Sequence, residues 1–312
     1  MLTRRLCALF WLTVLVMLLA SCGGGAPPQG ASATSTPGTS ATASAPPSPT
    51  PVPTPIRYTS RSILRGVGRP DDLAFDQQGR LLFSDFYGGT VSRLNADGSV
   101  TVLARGLPGP EGLVSLPDGT IIIAEQRTHQ IVSLAPGAAT PKLLRKLPGT
   151  PSSAPCKEGV DNIGLDPTTN TLIVPDSPTG DVYRMSLDGK SFTLLTSGIV
   201  RPVGAFIDGQ GTIYISDECG GAVWRLTSAG QKTRIGGFQM PDDVALDPQG
   251  NLLVIDLAPA VHALIRLNLA TGQKDTLGRD GYVEPQGLVV DTQGHIFVSD
   301  DVTNVIVEYT PM

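Results

Sequence analysis

The chain has 312 residues, 40% of them hydrophobic and 16% charged, with 28 acidic against 23 basic side chains and a net charge of −5. That balance argues against a nucleic-acid partner and against electrostatic docking on anionic lipid.

At the N-terminus Arg4 and Arg5 precede an apolar run, Leu6 to Leu19, too short and wrongly flanked for a lasting membrane span. The run ends in L-A-S-C at Leu19 to Cys22, which resembles the bacterial lipobox. The resemblance implies a lipoprotein signal peptide over residues 1–21 and acylation of Cys22. An ordinary secretory peptide cleaved near Ala20 is the alternative. Cleavage removes both arginines and takes the net charge from −5 to −7. Residues 23–56 carry no charge and consist mainly of Gly, Ala, Ser, Thr and Pro. Such a stretch cannot bury enough apolar surface to offset its ordering entropy, so 22–56 is expected to be a disordered tether. It would reach up to about 100 Å at about 3.1 Å per residue. The lipobox resemblance implies a protein of the cell envelope, outside the cytoplasm, expected to touch the membrane through the lipid anchor only.

From Arg69 onward one phrase recurs six times. R-P-D-D-L-A-F-D-Q-Q-G-R-L-L-F-S-D is the first copy and P-Q-G-L-V-V-D-T-Q-G-H-I-F-V-S-D, from Pro285, the last. Each copy closes on an acid: Asp85, Glu125, Asp176, Asp217, Asp256 and Asp300. The spacing averages about 43 residues, which with some four short strands per unit is the pattern of a β-propeller. The head, 57–312, is therefore expected to be all-β: a monomeric six-bladed β-propeller. Within each unit an inner strand runs into a tight turn. The turn carries Gly79, Gly119, Asn170, Gly211, Gly250 or Gly294, a series that implies φ > 0. The second strand is apolar throughout and so buried on both faces. The sixth unit ends after its third strand, whereas a spare strand-like segment, R-S-I-L-R from Arg61, precedes the first. That N-terminal strand is expected to close the last blade and remove an open sheet edge.

The phrases resemble NHL repeats and the six-bladed propellers of the senescence-marker-protein/gluconolactonase-like family. V-D-N-I-G-L-D-P, from Val160, is also similar to the paraoxonases. The resemblance spans the head. It is specific for fold more than for activity, because related propellers include hydrolases, lyases, sensors and scaffolds.

The repeat also separates framework from candidate site. The six closing acids are expected to cap loops by accepting backbone N–H groups. Asp76, Asp166, Asp208, Asp247 and Asp291 read as turn formers, and Arg93, Arg184, Arg225 and Arg266 as partners of neighbouring blades. The start of the inner strand behaves differently. Its first position reads Asp71, Glu111, Asp161, Val203, Asp242, Gln286, and its second Asp72, Gly112, Asn162, Gly204, Asp243, Gly287. Carboxylates converging on one axis repel unless a cation, a shared proton or a basic group compensates, and oxygen donors of this kind suit Ca²⁺. Asp71, Asp72, Glu111, Asn162, Asp242 and Asp243 are thus candidate metal ligands. The other reading is that they bond backbone amides at the channel mouth.

In the gluconolactonase-like family the axial cation is held by a Glu of the first blade, an Asn of the third, an Asn of the fourth and an Asp of the fifth. The resemblance places Asp71 or Asp72, Asn162, and Asp242 or Asp243 on three of these. Val203-Gly204 offers nothing for the fourth, and Glu111 could compensate. If the chain is a hydrolase, a cation would polarise a carbonyl or phosphoryl oxygen, with Asp242 or Asp161 as base or nucleophile.

Other signals are weaker. His129 and His262 read as solvated loop residues, and no dedicated His base for a streptogramin-inactivating lyase is evident. Cys156 and Cys219, the only cysteines of the head, fall on one face in adjacent blades. A disulfide between them is chemically allowed outside the cytoplasm. It would pin the insertion Leu147–Gly159, as a lid over the mouth or as a plain surface loop. Two functions stay open. One is a tethered module binding a small molecule, glycan or protein on the propeller's top face. The other is a Ca²⁺-type hydrolase of lactones, esters or organophosphates.

Overall fold

A strand that is apolar on both faces needs a neighbour on each side, and a closed ring supplies one to every blade. The computed structural model describes residues 54–312 apart from Val67 and Asp280. The signal peptide, Cys22 and nearly all of the tether fall outside these residues. The described residues form six four-stranded antiparallel sheets and no helix. Blade one comprises Leu73–Phe75, Leu81–Asp85, Thr90–Leu94 and Val100–Arg105; blade two comprises Pro110–Ser115, Ile121–Glu125, Gln130–Leu134 and Lys142–Lys146. Blade three comprises Gly164–Asp166, Thr171–Asp176, Asp181–Ser186 and Phe192–Thr196; blade four comprises Pro202–Ile207, Ile213–Asp217, Ala222–Leu226 and Lys232–Gly236. Blade five comprises Pro241–Leu246, Leu252–Asp256, Ala263–Leu267 and Lys274–Gly278. Blade six comprises Pro285–Val290, Ile296–Asp300 and Val305–Pro311, and its outer strand is the N-terminal Tyr58–Arg65.

That outer strand lies antiparallel to Val305–Pro311, from Tyr58 opposite Pro311 to Arg65 opposite Val305. The ring closes as the spare segment implied. Every residue of the second strands Leu81–Asp85, Ile121–Glu125, Ile213–Asp217, Leu252–Asp256 and Ile296–Asp300 is buried. The core is divided accordingly into six apolar clusters, one at each blade junction.

The polar framework is local. The turn residues Gly79, Gly119, Asn170, Gly211, Gly250 and Gly294 all have positive φ, from 53° at Asn170 to 84° at Gly294. Each turn acid accepts the backbone N–H groups of that turn, as Asp76 does from Gln78 and Arg80 at 2.9 Å. The closing acids join two loops, the one that leads into their own blade and the one that follows them. Asp217 accepts Arg201 N and Gly220 N, both at 3.0 Å. Glu125 is the exception, and takes side-chain donors from Thr128 and Gln130.

Two sequence expectations are corrected. The third-strand arginines bond chiefly within their own blades: Arg184 pairs with Asp166 at 2.5 Å and Arg266 with Asp275 at 3.2 Å. These partners lie on other strands of the same sheet, Asp166 on the inner strand of blade three and Asp275 on the outer strand of blade five. His129 is buried, not solvated. Its Nδ1 accepts Val160 N at 2.8 Å and its Nε2 faces Asp176 at 3.3 Å, because the insertion before Val160 folds over it.

Asp300 is fully buried and accepts Val283 N, Glu284 N and Thr303 N at 2.7–3.1 Å. Replacing it by Ala leaves three backbone donors without an acceptor. Asp300→Ala is therefore expected to cost about 3 kcal/mol or more, read as a lowered urea midpoint. A change below about 0.5 kcal/mol would contradict this role for the acid.

Candidate site at the channel mouth

Two consecutive inner-strand positions form two rings around the axis. The deeper ring alternates polar residues and glycines: Asp72, Gly112, Asn162, Gly204, Asp243, Gly287. The glycines are required by close approach. A Cβ on Gly112 would stand 2.6 Å from Ile163 N, on Gly204 2.6 Å from the Asp242 carbonyl, and on Gly287 2.6 Å from the Asp71 carbonyl. The polar members link the blades. Asp72 accepts Leu113 N at 2.9 Å and Asp243 accepts Leu288 N at 2.7 Å, each from the next blade. Asn162 donates from Nδ2 to Asp243 at 2.9 Å and to Asp72 at 3.4 Å, while its Oδ1 accepts Ile163 N.

The outer ring, Asp71, Glu111, Asp161, Val203, Asp242 and Gln286, stands above it. Five of the six line a cavity of about 320 Å³ that opens on this face. The residues that follow the closing acids reach over the same cavity: Phe86, Gln126, Glu218, Leu257 and Asp301. Eight carboxyl side chains line it against a single guanidinium, Arg201. Between the rings lies a throat of about 10 Å³, bordered by Asp71, Asp72, Asp161, Asn162, Asp242 and Asp243. That is room for about one water-sized particle.

Arg201 occupies the fourth-blade gap. Val203 is fully buried and apolar, but two residues earlier the Arg201 guanidinium turns into the mouth. It pairs with Glu158 at 3.1 Å, with Asp161 at 3.3 Å and with Glu218. A disulfide between Cys156 and Cys219, with Cα atoms 6.1 Å apart, ties the insertion to blade four. Glu158 lies two residues beyond one half-cystine and Glu218 immediately precedes the other, so the bridge brackets the Arg201 cage. The insertion is held further by Gly149 N on Asp176 at 2.9 Å and Lys157 Nζ on the Pro178 carbonyl at 2.7 Å. It supplies a wall of the mouth.

Burial and mutual repulsion govern the protons. Burial, with Asp161, Asp301 and Asp72 nearby, raises Asp71 to about 8 against a hydrogen bond with Glu111 that draws it down. Burial raises Asp72 to about 7, opposed by backbone N–H donors. Glu111, Asp242 and Asp243 are pushed well above the usual carboxylate range, by burial first and neighbouring acids second. Asp161 is raised by burial and drawn back by Arg201. Asp301 is raised by burial to about 6, with Arg69 opposing. Gln126 Nε2 donates to Glu111 at 3.0 Å and to Asp161 at 3.4 Å.

The structure thus brings Asp71, Glu111, Asp161 and Asp242 to the mouth and places Asp72, Asn162 and Asp243 in its floor, bonded across blades. The donors are all oxygen, which fits a hard cation such as Ca²⁺. Among the described residues no three acidic, His or Cys side chains converge as a ready metal-holding group. A cation at the throat would have to draw them in, with the Asn162 amide turning its oxygen to the axis. Neither His129 nor His262 lines the cavity. Sequence reasoning missed Arg201, Glu158, Glu218 and Asp301. The available signal was the variable residue directly after each invariant acid, together with the rare arginine before an inner-strand proline.

With this geometry, known structures decide the fold. A gluconolactonase from Xanthomonas campestris superimposes with a TM-score of 0.65 at 15% identity, over 83% of this chain and 95% of that one. The fold is the six-bladed propeller shared with gluconolactonases and streptogramin B lyases. A virginiamycin B lyase from Staphylococcus aureus gives a TM-score of 0.61 at 17% identity over 80% and 83% of the two chains. A chain of the nidogen/laminin complex gives 0.62 at 17% over 73% and 88%. No protein-family model and no curated protein matches the sequence.

The raised carboxyls set a pH dependence. Burial lifts Asp71 and Asp72 to about 8 and about 7 in the folded chain, from an ordinary carboxylate value of 3.8. The folded state therefore holds more protons across that window, and stability is present at low pH and lost as pH rises through about 7 to 8. Melting in chelator is expected to shift to lower temperature from pH 5 to pH 8.5, and Asp71→Asn to flatten that slope. A melting temperature that climbs with pH would contradict the shifts.

Proposed function

We propose that the protein is an extracytoplasmic, lipid-anchored propeller whose acidic mouth binds a small molecule, glycan or protein through a bound divalent cation, Ca²⁺ being the ion of choice. The observation that carries the reading is the charge imbalance: eight carboxyl groups around one guanidinium in a partly desolvated cavity. Such a set must keep protons or take a cation. Arg201 neutralises one side only, where Glu158, Asp161 and Glu218 surround it.

A metal-assisted hydrolase is the second reading, and Asp242 favours it. Its carboxyl borders both mouth and throat, and among the described residues it makes no hydrogen bond. Burial, with Asp161 and Asp243 nearby, raises its pKa well above the usual carboxylate range, which makes it a stronger base than an ordinary carboxylate once a cation has displaced its proton. The gluconolactonase likeness supports this reading only as a class of fold. A lyase is less favoured. The virginiamycin B lyase has a catalytically inactive His→Ala form, whereas no histidine lines this mouth.

Chelator-stripped protein is expected to melt at higher temperature with Ca²⁺, and by a larger margin at pH 8 than at pH 6, since protons and cation compete for the same oxygens. Asp242→Ala and Asn162→Ala are expected to remove the shift. Turnover on a panel of lactones and esters that is lost in Asp242→Asn would select the hydrolase. No Ca²⁺ shift at either pH, and no metal in elemental analysis, would overturn both readings.

The anchor is tested separately. Cys22→Ser is expected to move the protein from the membrane fraction to the soluble fraction. Retention on the membrane would sink the lipobox reading.

A further inference from the structure

The blades repeat a second feature on the face opposite the mouth, where inner strand turns into second strand. At the junction of blades five and six the chain's own N-terminal segment fills the groove. Gln249 donates from Nε2 to the Thr54 carbonyl at 3.2 Å and accepts Ile56 N at 3.3 Å. Arg266 donates from Nη1 to the Ile56 carbonyl at 2.6 Å. Tyr58 then packs against the apolar cluster of that junction with Leu253, Leu277, Ile296 and Tyr309. Its hydroxyl oxygen is buried, near enough to Asp247 and Arg266 for both to act on its proton.

The junction of blades one and two carries the same fittings around an open groove of about 460 Å³. Strand register places Gln78, Arg93, Leu82 and Leu103 where blade five has Gln249, Arg266, Leu253 and Leu277. Across the groove, Leu134 stands where blade six has Tyr309. Among the described residues Arg93 makes one hydrogen bond, from Nε to Asn95 at 3.1 Å, so both its Nη groups are free to meet a carbonyl. The groove of blades three and four, about 410 Å³, differs here: Arg184 Nη1 is already bonded to Asp166, Thr169 and Thr171.

We propose that the groove between blades one and two docks an extended peptide segment of a partner protein with the pattern proline–aliphatic–any–tyrosine, the pattern of this chain's own Pro55–Tyr58. Arg93 donates to its backbone as Arg266 donates to the Ile56 carbonyl, and Gln78, whose Oε1 already accepts Arg80 Nη2 at 2.8 Å, holds it through Nε2 alone, as Gln249 Nε2 holds the Thr54 carbonyl. The tyrosine ring enters the apolar floor formed by Leu82, Leu103, Ile121 and Leu134. Extended, proline-containing segments suit such a groove, because they lose little conformational entropy on docking and leave their carbonyls exposed. The site is independent of the mouth and stands whether or not the mouth binds a cation.

The test is anisotropy of a labelled hexapeptide, Thr-Pro-Ile-Arg-Tyr-Thr, titrated with the purified full chain. Saturable binding is expected. Arg93→Ala should weaken it about tenfold, the worth of one hydrogen bond to a charged donor. Ala138→Phe, which fills the groove, should abolish it, as should replacing the peptide's tyrosine by alanine, a change that leaves the protein's fold untouched. Arg266→Ala should leave it unchanged. The proposal is overturned by absence of saturation or by binding indifferent to Arg93→Ala. Binding that changes only in Arg266→Ala also overturns it, since that result means exchange with the chain's own segment. So does a dimer that Arg93→Ala dissociates, which would assign the groove to a second copy.

Discussion

Six inner strands meet on one axis that has room for three side chains, and the site follows from that crowding. Where two blades touch most closely the backbone of one lies against the backbone of the next, so Gly112, Gly204 and Gly287 carry no Cβ into the contact. The three remaining positions hold polar side chains: Asp72 and Asp243 accept a backbone amide of the next blade, and the Asn162 amide donates to both of them. Asp72, Asn162 and Asp243 are therefore stitching as much as they are site. They also crowd the floor of the mouth with carboxyl groups. The acids of the ring above are buried against that floor, which is why their protons bind tightly. Arg201 then acts as a built-in counter-ion on the blade-four side, where the ring itself has only Val203.

Much of this was legible in one dimension. Blade number, ring closure by the segment from Arg61, the positive-φ turns and the two inner-strand positions each follow from aligning six copies of a phrase. A repeat shows what is shared, and framework is what is shared. The rest depended on relations that no single copy contains. Asp71 and Asp72 are adjacent in sequence but lie in different rings, because successive residues of a strand face opposite ways. Arg201 has a role only because Glu158, Asp161 and Glu218 arrive from the insertion, from just before an inner strand and from the loop at the other half-cystine. His129 looked like an exposed loop residue until the insertion after Leu147 proved to fold across it. The third-strand arginines were misassigned for a related reason. Their acids lie on strands of the same sheet, and the repeat does not show whether a side chain leans along its own blade or across to the next.

The two faces of the ring are built on opposite principles. At the mouth, differences between blades accumulate on one axis, so a substitution in any blade is felt by all the others through charge. At the far rim each groove belongs to two blades and is insulated from the rest. One junction can accept the N-terminal segment while its counterpart between blades one and two stays open. Such a ring can change one outer groove without disturbing its centre, but cannot change one inner acid in isolation.

The closing strand makes the last blade the most demanding to assemble. Arg61 bonds Glu308 across 247 residues of sequence, so this one sheet needs the first and last strands of the ring to meet. Until Tyr58–Arg65 lies against Val305–Pro311, blade six lacks its outer strand and presents an unpaired edge. A propeller cut within either strand would keep that edge open to proteases and to pairing with another chain. The seam between the first and last strands is therefore where the ring is slowest to close and easiest to pry apart.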